Sequence, residues 1–97
     1  MQQLSVPFAE KLDEPLAQLC NNGRGLAPSE RVPVVVRCDS AAIDLVAELI
    51  IRLGGTIRHQ LRIVGALGAW IPLNAVDKLA QDAGVNRLEL VQNFTIA

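Results

Sequence analysis

Gly54-Gly55-Thr56-Ile57-Arg58-His59-Gln60-Leu61-Arg62-Ile63 is the stretch that decides the architecture. Its paired glycines end whatever precedes them, because glycine enters the left-handed conformation in which helices commonly stop. Beyond them the residues alternate: Ile57, Leu61 and Ile63 on one side, Arg58, Gln60 and Arg62 on the other. That period predicts a half-buried strand. Upstream, Ile43, Val46, Ala47, Ile50 and Leu53 recur at three and four, so a helix capped by Asp39 or Ser40 runs into the glycines. Leu45, Leu49 and Ile51 widen its apolar stripe beyond what one sheet face needs. Before the helix, the β-branched run from Val32 to Cys38 reads as a strand.

Downstream, Gly65-Ala66 permits a reversal and Leu67 to Ile71 returns as a strand, with Leu67, Ala69 and Ile71 inward and Gly68 and Trp70 outward. Pro72 to Ala83 reads as a second helix that buries Val76, Leu79 and Ala80 and is closed by Gly84. A last strand follows Val85, with Leu88 and Leu90 inward and Arg87, Glu89 and Val91 outward. Two β-α-β halves with right-handed crossovers predict an α+β, ferredoxin-like βαββαβ plait: a four-stranded antiparallel sheet with two helices on one face. Residues 31–97 form this domain and its C-terminal tail. Residues 1–30 read as a helical extension and linker, with Phe8, Leu12, Leu16 and Leu19 near helical spacing. Pro15 must kink that helix or begin a second one, with Asp13 as its cap.

Ninety-seven residues, half of them apolar, make one domain with a generous core. Nine basic against ten acidic residues argue against nucleic acid as a partner. No apolar run is long enough to span a membrane, and the N-terminus lacks the basic and apolar regions of a secretory signal. Cys20 and Cys38 are too few for a disulfide scaffold and fit a reducing, cytoplasmic setting.

The fold class carries little functional information, so each chemistry is weighed on its residues. His59, the one histidine, shares the alternation of Ile57 and Leu61 and reads as a partly buried core residue rather than a base. Cys38 and His59 supply too few ligands for a closed zinc site. Asp39, Asp44 and Glu48 belong to one helix and its cap, where acids suit the dipole. Gly54-Gly55 precedes a strand and so forms no phosphate loop. With no tyrosine and one tryptophan, the sheet lacks the aromatics of an RNA-binding plait. These residues predict no catalytic group, no cofactor and no metal: a binding protein, not an enzyme.

The second half of the chain resembles the propeptides of subtilisin-type serine proteases, a family that includes free-standing proteinase inhibitors. The likeness is carried by Ala41-Ala42, by Gly54-Gly55-Thr56-Ile57 and by Gly68-Ala69-Trp70-Ile71. It continues without a gap through Asn74-Ala75-Val76-Asp77-Lys78-Leu79-Ala80 to Gly84-Val85 and Leu88-Glu89. It implies a stand-alone inhibitor or folding chaperone of a subtilisin-like serine protease, whose outer sheet face packs on two protease helices. Glu89 matches the acid that caps those helices. Phe94, Thr95, Ile96 and Ala97 match the tail that lies in the substrate cleft as an added strand. Leu90 and Val91 depart from the family, which often carries further acids there.

Alternatives stay open for each of these residues. Glu89 also fits a solvated acid opposite Arg58, Arg62 or Arg87. Phe94 and Ile96 also fit an end that folds back or frays. Trp70 is either a contact anchor for a partner or is covered by the stretch from Phe8 to Leu19. The rival function is a non-enzymatic interaction module, a homodimer formed through the sheet face or the over-wide first helix.

Overall fold

The computed structural model describes residues 9–22 and 29–91. Within them lie three α-helices and one antiparallel sheet: α1 (Glu14–Asn22), β1 (Arg31–Cys38), α2 (Ile43–Arg52), β2 (Thr56–Leu61), β3 (Ala66–Pro72), α3 (Val76–Ala80) and β4 (Val85–Leu90). The strands lie in the order β2-β3-β1-β4. β3 therefore sits between β1 and β2, which run the same way, and β1 sits between β3 and β4. Each β-α-β half is thus split by a strand of the other half.

Alternation in the two central strands builds the core. Val32, Val34 and Val36 of β1 and Leu67, Ala69 and Ile71 of β3 are at most 3% exposed. They form one cluster with Ile43, Val46 and Ile50 of α2, with Val76, Leu79 and Ala80 of α3, and with Leu88 of β4. Pro33 is tolerated in a central strand because its main chain faces the point where β4 ends; its carbonyl accepts the Val91 N–H at 3.0 Å.

α2 ends as the paired glycines predict. Gly54 has φ +94°, its N–H donates to the Ile51 carbonyl, and the Gly55 N–H donates to the Ile50 carbonyl. These are the two bonds of a Schellman cap. The predicted side-chain cap at the other end is absent: a 3-10 turn, Ser40–Ala42, precedes α2, and Asp39 instead accepts a bond from Asn86 Nδ2 at 3.2 Å. The second helix is shorter than expected. A 3-10 turn, Leu73–Ala75, leads into the five residues of α3. The Asp82 carboxylate then accepts the Gly84 N–H at 3.0 Å, a local bond that competes with further helix, and Gly84 is not among the glycines of positive φ.

Residues 9–22 are built into the molecule. Asp13 caps α1, its Oδ1 accepting the Leu16 N–H at 3.0 Å, so Pro15 falls in the first turn where no donor is missed. Leu12, Leu16 and Leu19 are 7%, 0% and 1% exposed and belong to the same core cluster.

The largest departure from the alternation of the sequence lies in β2. Ile57 pairs with Ala69, but His59 pairs with Gly68, so two residues of β2 advance against one of β3. Arg58 is the extra residue of a β-bulge, and every side chain after it changes face. His59 is accordingly not a core histidine: it is exposed, on the face that Gly68 shares. Leu61 and Ile63, expected inward, are 55% and 95% exposed.

Candidate functional site

The sheet face turned away from the helices carries the side chains that alternate with the core positions of each strand. β1 contributes Arg31, Pro33, Val35 and Arg37; β3 contributes Gly68 and Trp70; β4 contributes Arg87 and Glu89, followed by Val91. β2 adds Thr56 and, through its bulge, Arg58 and His59.

Glu89 lies between two arginines. Its Oε2 accepts a hydrogen bond from Arg87 Nε at 3.2 Å and forms an ion pair with Arg37 Nε at 3.3 Å. Of the partners expected from the sequence, Arg87 is present, whereas Arg58 and Arg62 are not. Arg62 instead pairs with Asp44 of α2 at 2.9 Å, and the guanidinium bond holds that carboxyl below its ordinary range. The Glu89 side chain is 30% exposed and its arginines are nearly half exposed, so each pair contributes at most about 1 kcal/mol. Glu89 is therefore held in place yet free to exchange partners.

Trp70 is half-buried opposite Pro33 of β1 and Thr56 of β2. Arg31 reaches across β3 to donate from Nη1 to Thr56 Oγ1 at 2.8 Å. Beside them a hollow of about 300 Å³ has Pro33, Val35 and Val91 as its apolar floor and Arg58 and His59 as one wall. The His59 ring lies over Gly68: a methyl group placed there would come within 2.5 Å of Nε2. A side chain at 68 would push the imidazole away and part-fill the hollow.

The described leading segment does not cover this face. Asp13 N–H donates to the Leu88 carbonyl at 3.0 Å, and Leu90 N–H donates back to the Asp13 carboxylate, with 3.2 Å to Oδ2. Leu12 and Asp13 thereby run along the outer edge of β4, and α1 continues into the core shared with α3. Phe8 lies outside the described residues, as do Phe94, Thr95, Ile96 and Ala97 of the tail.

Among the described residues no cluster of three or more histidine, cysteine, aspartate or glutamate side chains is arranged to hold a metal, and no helix is long and apolar enough to cross a membrane. Cys38 is buried, Cys20 is partly buried, and both are free thiols. Burial first, and the Asp77 carboxylate second, push the Cys20 thiol up to about 11, far from the depressed range of a reactive cysteine.

The sequence placed Trp70 and Glu89 on one face, and the sheet brings them there. It missed His59, because an alternating run gives no sign of a bulge; Arg58 it placed outward, where the hollow has it. Arg37 was legible in principle: it continues the odd-numbered positions of β1 opposite the buried valines. No protein-family model matches the chain, and no curated protein matches it. The resemblance to protease propeptides therefore rests on the residues themselves.

Proposed function

We propose that this chain is a propeptide-like inhibitor or folding chaperone of a subtilisin-family serine protease. In this proposal its fold is the ferredoxin-like plait, its outer sheet face docks on the protease, and its tail enters the substrate cleft. The interleaved strand order β2-β3-β1-β4 supports the plait. The observation that carries the docking is Glu89: outward, half-buried, on the edge strand β4 of a face that the described leading segment leaves open. A carboxylate there suits the free N–H groups and positive dipole of a partner helix's first turn. Arg37 and Arg87 orient it until such a helix arrives. Phe94, Thr95, Ile96 and Ala97 would pair by main-chain hydrogen bonds, with alternate side chains in subsites.

The test is inhibition of a panel of subtilisin-like proteases by the intact chain and by one lacking residues 94–97. Tail removal is expected to weaken inhibition of a susceptible protease by at least about tenfold, the equivalent of 1.4 kcal/mol. Equal potency of the two chains, or no inhibition by either, rules the mechanism out.

A second reading, self-association, draws on exposed apolar residues: Leu45 and Ile51 of α2 are 70% and 61% exposed. Sedimentation separates the two readings, since a tight dimer that occludes the sheet face supports the interaction module.

A further inference from the structure

The charges of this protein are segregated. All charged side chains of the four strands are Arg31, Arg37, Arg58, Arg87 and the single acid Glu89, a formal +3, whereas the whole chain carries −1. Because no charged residue is buried among the described residues, these groups stand on the outer face or its rim, with His59 among them. Their compensation is incomplete. Arg37 and Arg87 share one oxygen of Glu89, Arg31 bonds a neutral hydroxyl, and Arg58 has no ion pair among the described residues. Between the Arg58–His59 wall and the Arg37–Arg87 pair lies the apolar floor of Pro33, Val35 and Val91.

From this arrangement we infer that the outer sheet face recognises an acidic protein segment, one aliphatic side chain flanked on both sides by carboxylates. The inference rests on the sheet-face docking proposed above and not on the tail. The aliphatic group fills the hollow, and the carboxylates answer the arginines that the chain leaves uncompensated. Electrostatic complementarity of this kind selects partners and speeds encounter. A nucleic acid fits the charge but less well the floor, since successive bases need a run of aromatic planes and the described residues of this face offer one half-buried tryptophan and the His59 ring.

The probe is a capped peptide of sequence EELEE, titrated into the isotope-labelled full chain and followed through backbone amide resonances. Saturable shifts are expected at the amides of Val35, His59, Gly68, Trp70 and Glu89. The neutral peptide QQLQQ and the glycine peptide EEGEE should each bind at least about tenfold more weakly, and added salt should weaken EELEE further. The exposed pair of changes Arg37→Gln and Arg58→Gln should cost a similar factor while leaving the spectrum of a folded chain. Equal binding of the three peptides, shifts centred elsewhere, no shift at millimolar peptide, or tighter binding of oligothymidylate would each overturn the inference. So would a chain ending at Val91 that binds EELEE tenfold better, because residues 92–97 would then be the occupant. Peptide binding without inhibition of any protease would remove the inhibitor proposal and leave this inference standing. Inhibition without peptide binding would do the reverse.

Discussion

Asp13 serves two elements with one carboxylate. It caps α1 through the Leu16 N–H and accepts the Leu90 N–H of β4, while its own N–H reaches the Leu88 carbonyl. Removing it exposes a helix terminus and an edge-strand donor together. Asp13→Ala should therefore cost about 2 kcal/mol, the sum of a lost cap and a lost hydrogen bond. Asp13→Asn, which keeps an acceptor, should cost less than half of that. Urea denaturation measures both, and an alanine variant as stable as the parent would mean that the edge contact carries no energy. Gly65 shows a different single-residue constraint. It turns the β2–β3 hairpin at φ +67°, and a Cβ there would collide with the Cys38 carbonyl oxygen. Only glycine satisfies the conformation and the close approach together.

At the scale of elements, the sheet has two edges and each is guarded differently. β4 is covered by Leu12 and Asp13; β2 is interrupted by its bulge and carries Arg58, which has no ion pair among the described residues. Both devices discourage strand addition, which leaves the face rather than an edge as the surface for a partner. The same contacts make α1 part of the fold rather than a loose addition. Leu16 is fully buried among core residues, so Leu16→Ala should destabilise the protein by about 2–5 kcal/mol. A loss below about 1 kcal/mol by chemical denaturation would show that α1 adds little to the core.

For the molecule as a whole, the partly buried Cys20 thiol makes stability fall in alkali. The Cys20 pKa is raised in the folded protein to about 11, while in the unfolded chain it ionises near its ordinary value. The neutral thiol is favoured only in the folded state. Its contribution is therefore complete below pH 9 and is lost as pH rises from about 9 towards 11, by an amount on the order of 2 kcal/mol. Denaturation midpoints across that window should decline in the parent and decline less in Cys20→Ala; parallel curves would contradict the assignment. The order of the elements, the glycine helix end, the Asp13 cap and the inward residues of the central strands were all legible in the chain. They depend on local propensity and on side-chain period, which neighbouring residues determine. The bulge at Arg58 was not, because it arises from how β2 meets β3, and it alone moved His59 from the expected core to the open face. The brevity of α3 was likewise hidden, since Asp82 ends it through a bond that helical spacing does not announce. The union of α1 with the core and the meeting of Arg37 and Arg87 at Glu89 on one face are facts of tertiary structure. Residues far apart in sequence meet there only after the sheet has chosen its strand order, and that choice belongs to packing.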